Sequence, residues 1–96
     1  MKLISITKAN DGIHKYAAKF ETDTGRNKTT KFGALGMDDY TITHDSEQRN
    51  RYRTRHAKDL TTGDPSRAGF LSYHILWGDS TSIHKNISAY KHRFSL

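Results

Sequence analysis

The chain of 96 residues has no cysteine. That excludes disulfides, cysteine-built zinc sites and thiol catalysis together, and it fits a reducing compartment. Proline occurs once, at Pro65, and tryptophan once, at Trp77. Apolar residues make up only 33% of the chain and mean hydropathy is -0.86. No run approaches the roughly 20 apolar residues that span a bilayer. Neither a membrane span nor a large apolar interface is expected. The run Leu3-Ile4-Ser5-Ile6 is too short for a secretory signal and is soon followed by Lys8, Asn10 and Asp11. An intracellular, non-secreted protein is the expectation. Acidic residues are also scarce. Ten Asp and Glu against sixteen Lys and Arg leave a net charge of +6. That imbalance favours acidic partners, nucleic acid (DNA or RNA) first and an acidic protein surface second.

Length allows one domain, residues 1–96, around one small core. Residues 1–35 read as strands. Leu3 to Thr7 is rich in β-branched residues, and Asn10-Asp11-Gly12 marks a turn. From Lys15 the chain alternates: Tyr16, Ala18 and Phe20 share one face, Lys15, Ala17 and Lys19 the other. A second turn at Asp23 to Asn27 leads to another alternation, with Thr30, Phe32 and Ala34 opposed to Thr29, Lys31 and Gly33. Tight connections predict a three-stranded antiparallel meander, with Ile4, Ile6, Tyr16, Phe20 and Phe32 on its apolar face. Residues 33–41 fit neither period and are expected to cross from sheet to helices.

Three helices are predicted over 46–60, 65–77 and 80–94. Asp45 caps the first. Asp64-Pro65 reads as an N-cap with proline at the first helical position, and Gly78 as a stop. Asp79 and Ser80 are read as the cap of the last helix. Helical geometry places Ile83, Ile87, Tyr90 and Phe94 in one stripe, with Lys85 and His92 opposite. The middle helix is apolar nearly all round and is expected at the centre. The first has only Tyr52, Ala57 and Leu60, with His56 beside them, to anchor it. The fold class is therefore α+β, a three-stranded antiparallel meander followed by three helices packed on one sheet face.

Charge is most concentrated over 46–60. Arg49, Arg51, Arg53, Arg55 and Lys58 face only Glu47 and Asp59 there, which is half of the chain's net charge. Arginine offers a fixed fork of donors that matches phosphate oxygens. Arg51, Arg55 and Lys58 follow one exposed ridge at helical spacing, while Arg49 and Arg53 point nearer the core, toward pairing with Asp38, Asp39 or Asp45. Lys15, Lys19 and Lys31 on the outer sheet face make a second basic patch. These six residues are the candidate phosphate contacts. A solvated basic face kept for solubility is the competing account. A broad Leu/Phe/Trp face for lipid is lacking.

Other patterns carry less. Six histidines show no metal-ligand spacing, so no metal or other cofactor is expected. Gly78-Asp79-Ser80 and Asp11 to His14 mimic a serine-esterase pair in the wrong order and without an oxyanion hole. Gly33-Ala34-Leu35-Gly36 lacks the basic helical setting of an RNA-binding loop. Tyr16, Phe20 and Phe32 are read as core rather than as a base-stacking platform. No enzyme is expected.

The ordered blocks Phe32-Gly33-Ala34, Gly36, Asp39-Tyr40-Thr41, Arg55-His56, Ala68-Gly69-Phe70-Leu71-Ser72, Leu76-Trp77 and Tyr90-Lys91-His92-Arg93-Phe94 resemble those of a small uncharacterised family from large DNA viruses of algae and protists. The resemblance spans roughly residues 15–94. It implies a viral protein acting in a host cell or a virion, and it carries no activity and no catalytic residues.

Overall fold

Alternating side chains and two glycine-bearing turns build the sheet. The computed structural model describes all of residues 1–96. Strands β1 (Lys2–Lys8), β2 (His14–Glu21) and β3 (Asn27–Ala34) form an antiparallel meander in the order β1-β2-β3. Phe20 and Ala18 of β2 and Phe32 of β3 are buried, as the period-2 pattern requires. β1 departs from its expected face. Leu3 lies opposite Phe20 and Ser5 opposite Lys19, so Ile4 is an extra residue in a β-bulge. The bulge puts both Leu3 and Ile6 on the core side and leaves Ile4 47% exposed, correcting its assignment to the apolar face.

A one-turn helix, α1 (Tyr40–Thr43), interrupts the crossover that had no predicted structure. It starts where the Asp39 carboxylate accepts from Thr41 N at 2.8 Å. Helix α2 (Ser46–His56) begins as predicted, with Asp45 accepting from Glu47 N and Gln48 N. It ends at His56, earlier than the expected residue 60, and tightens into a 3-10 turn, Ala57–Thr62. Tyr52 and Leu60 pack on the core, but Ala57 is exposed.

The middle helix differs most. Pro65 does not open it. Asp64 accepts from Ser66 N and Ser66 Oγ, closing a local turn, and α3 (Ala68–Leu71) follows three residues later. The turn acts as a clamp: Thr30 Oγ1 of β3 donates to Ser66 O and Tyr90 Oη to Pro65 O. α3 runs on as a π-turn, Ser72–Leu76, where Trp77 N donates to Ser72 O. The extra residue per turn brings Ile75, Leu76 and Trp77 inward together. This segment is central, as expected, although Ala68 faces solvent. Gly78 then closes the turn against neighbours: a Cβ there would stand 2.2 Å from His74 O.

Helix α4 (Ile83–Arg93) is capped by Ser82, which accepts from Lys85 N, and not by Asp79 or Ser80. The reason is Asn86, buried at its first turn. Its amide donates to Ile75 O and Ser80 O and accepts from Ser80 N, so Ser80 belongs to the loop that α4 holds. Ile83, Ile87, Tyr90 and Phe94 face the core. The middle segment packs on β3, and α2 and α4 pack on that segment around one core, so the α+β architecture holds while only the middle helical segment, of the three predicted, lies directly on the sheet.

His74 sits in the aromatic cluster of Phe70, Tyr73, Tyr90 and Phe94. Burial first, then the Arg93 and Arg53 charges, hold its pKa down from 6.5 to about 4, against a smaller opposing pull from Asp79. The unfolded chain takes up this proton near 6.5 and the native one does not. The stability His74 contributes is therefore complete above about 6.5 and is lost as pH falls from there toward about 4. In His74→Phe the thermal midpoint should depend less on pH between about 7.5 and 5 than in the parent, a comparison that cancels the other histidines. Equal pH dependence of the two proteins would refute the assignment.

Candidate nucleic-acid interface

Alpha-helical spacing puts Arg51 and Arg55 one turn apart on α2, and both are exposed. Neither forms an ion pair. Arg49 and Arg53 point inward, as the helical wheel requires, but they meet a different acid from those expected. Arg49 donates through Nε to Gly78 O at 2.6 Å and through Nη2 to Asp79 at 2.5 Å, and Arg53 Nη1 lies 3.3 Å from the same oxygen. Asp38, Asp39 and Asp45 are not their partners. The loop before α4 brings Asp79 back onto α2 from 30 residues away. Arg53 also lies over the Tyr73 ring at 4.7 Å. Lys58 is exposed and free, yet it belongs to the 3-10 turn. The straight ridge Arg51-Arg55-Lys58 therefore stops after Arg55.

The second basic patch does not form. Lys15 is nearly buried and its ammonium meets Asp39 at 2.5 Å. Gly33 makes room for it, since a Cβ there would stand 3.2 Å from Lys15 Cβ and 2.8 Å from Leu76 Cδ1. Lys31 lies 3.5 Å from Asp11. Asp11 accepts from His14 N and Ile13 N, each at 2.9 Å, and from the His14 ring. Those bonds, the His14 backbone first, hold its carboxyl well below the usual carboxylate range, so it stays charged beside Lys31. Of the three, only Lys19 remains exposed and unpaired. Loop acids 24 and 20 residues away thus neutralise two of the three lysines.

What sequence reasoning missed is a cleft. The end of β3 with the segment that follows it, and helix α2, wall a hollow of about 640 Å³. Arg51, Arg55, Gln48 and His56 line it from α2, and Ala34, Gly36, Met37 and Asp38 from the other segment. Leu76 and Trp77, both buried, lie between them, and Lys15 reaches its edge. Three rings stack in a column along it. Tyr52 lies 4.4 Å from Trp77 and 4.1 Å from His56, at interplanar angles of 10° and 23°. Two stacked partners need opposite faces of Tyr52, so the column ends on His56. The His56 Nδ1 atom is 2.9 Å from Asp59 Oδ2, which fixes the ring. The i, i+4 spacing of Tyr52 and His56 was the signal available in the sequence. The stack with Trp77 depends on the π-turn and had none. Elsewhere the histidines stay apart, and no three His, Asp or Glu side chains converge.

The fold and the cleft define a small basic α+β domain with a cationic hollow between sheet and helix. Residues 4–56, from β1 to the end of α2, match a family of unknown function (DUF5754), and the chain belongs to that family. No curated protein and no solved structure matches the chain. No helix is long and apolar enough to cross a membrane.

Proposed function

We propose that the protein binds nucleic acid through phosphate contacts, without sequence preference, using Arg51 and Arg55 with Lys58 at the flank. One observation carries this reading: of the five cations between residues 46 and 60, Arg49 and Arg53 share Asp79 as ion-pair partner, whereas Arg51, Arg55 and Lys58 meet no acid. Two adjacent arginine forks on a rigid helix suit phosphate oxygens. Lys19 adds long-range attraction from the sheet side. The resemblance to viral proteins supports an infected cell or a virion as the setting.

Replacing Arg51, Arg55 and Lys58 together by Glu should weaken binding to DNA or RNA by about a hundredfold at moderate salt and flatten its salt dependence by roughly three phosphate contacts. A titration against mixed nucleic acids over a salt series checks this, with circular dichroism to verify the fold. Unchanged affinity in a folded variant would end the proposal.

A second reading rests on a different surface. Ile13, Leu35, Met37 and Ile42 are all at least 59% exposed, and the last three rim a hollow of about 380 Å³ beside α1. Such a patch suits a non-enzymatic interaction protein that docks on another protein. Copurification separates the two: nuclease-sensitive absorbance supports nucleic acid, and a stoichiometric protein partner supports docking.

A further inference from the structure

We infer that the cleft takes one unpaired nucleotide of a single strand, with its base stacked on His56 and its phosphate on Arg51 and Arg55. This rests on the phosphate reading above and specifies it. A phosphate ridge alone needs no hollow, and a duplex keeps the faces of its bases stacked inside, offering a helix only sugar, phosphate and base edges. The hollow of about 640 Å³ is of ligand size. Its lining is also mixed in a way that bare phosphate does not call for. Arg51 and Arg55 supply cations from α2, while Asp38, exposed and without an ion-pair partner, faces the same space from the segment after β3. A carboxylate repels phosphate but accepts from the amino group of a base. Gln48 accepts from Thr43 Oγ1 at 2.8 Å through its carbonyl, which leaves its amide N–H groups to donate.

The ring column supplies the platform. Tyr52 has both faces covered and Trp77 is buried, so neither offers a free face. His56 ends the column, its side chain is 37% exposed, and it lines the hollow beside Arg55. A base laid on its outer face continues the stack as a fourth ring. Asp59 holds the imidazole in place before the base arrives.

Trp77 is the only tryptophan and lines the cleft, so its emission reports occupancy. The probe is a short oligodeoxyadenylate, with oligoadenylate as the RNA arm, and the same DNA strand annealed to its complement. The single strand should shift Trp77 emission and bind about tenfold or more tightly than the annealed form. His56→Asn keeps an amide for Asp59 but removes the ring, and should weaken single-strand binding by about 5- to 150-fold. His56→Phe keeps a ring face and should restore it. Equal affinity for single and annealed strands, or an unchanged affinity in His56→Asn, overturns the inference while Arg51→Glu/Arg55→Glu still loses binding. If that charge-reversed pair binds as the parent does, the phosphate reading itself fails and the cleft assignment with it.

Discussion

Trp77→Ala should cost about 3–5 kcal/mol of stability, the range for truncating a large buried aromatic. The indole is 6% exposed and lies face to face with Tyr52 at 4.4 Å. It ends the π-turn, so its loss removes packing from three elements at once: the turn itself, α2 through Tyr52, and the floor of the cleft. The surroundings have little freedom to collapse into the void. Gly78 directly after it is pinned by its close approach to His74 O and by the Arg49 bond to its carbonyl. Urea denaturation followed by far-ultraviolet circular dichroism measures the change without needing the lost fluorophore. A loss below about 1 kcal/mol would mean that the ring contributes little to the core and that the column is held from elsewhere. Trp77→Phe should lose less than Trp77→Ala, because a ring remains to stack on Tyr52.

The strands were legible because most of β2 and β3 obeys one local rule, alternation between two glycine-bearing turns; Lys15, nearly buried against Asp39, and the exposed Ala34 depart from it. β1 obeyed it only in part. A run such as Leu3-Ile4-Ser5-Ile6 satisfies the core equally well with Ile4 or Leu3 inward. The bulge that selects Leu3 is set by pairing with Phe20, 17 residues on. Asp45 worked as a cap because its partners, Glu47 N and Gln48 N, are its own neighbours. Asp64-Pro65 misled for the same kind of reason. The pair has the form of a helix start, but Ser66 competes for the Asp64 carboxylate and its own carbonyl is taken by Thr30 of β3. The π-turn had no local signal at all. It is the arrangement that buries Ile75, Leu76 and Trp77 together, a demand of the whole core.

The site divides along the same line. Exposure of Arg51 and Arg55, and the inward turn of Arg49 and Arg53, follow from angular spacing on one helix and were readable. Which acid each cation meets was not, since Asp79 reaches α2, Asp39 reaches Lys15, and Asp11 reaches Lys31 through loops. A net charge of +6 states that cations exceed acids; it does not state which cations are left over. The cleft is one step further removed, because its walls come from separate segments that meet only after α2 docks on Trp77.

Asp39→Ala should destabilise the domain by about 3–5 kcal/mol, because it leaves a nearly buried ammonium without its counter-charge. The carboxylate is 2% exposed and accepts from Lys15 Nζ at 2.5 Å, from Thr41 N at 2.8 Å and from Thr41 Oγ1 at 2.5 Å. Of the loss, about 1 kcal/mol belongs to the cap on α1. The remainder is the stranded Lys15, and a second substitution separates the two. Lys15→Met in the Asp39→Ala background should recover stability, since an apolar side chain of similar length needs no partner, whereas Lys15→Met alone should be destabilising because Asp39 then loses its cation. Additive losses in the double variant would rule out the pair as the source. The same experiment bears on the cleft, because Lys15 lines its edge. Released from Asp39, the ammonium can turn to the cleft or to the hollow beside α1, both of which it lines, and the carboxylate that offset its charge is gone. Folded Asp39→Ala should therefore bind nucleic acid more tightly than the parent while being the less stable protein. That opposite movement of affinity and stability, measured on one variant, distinguishes a lysine withheld from the site by its partner from one that has no connection to it.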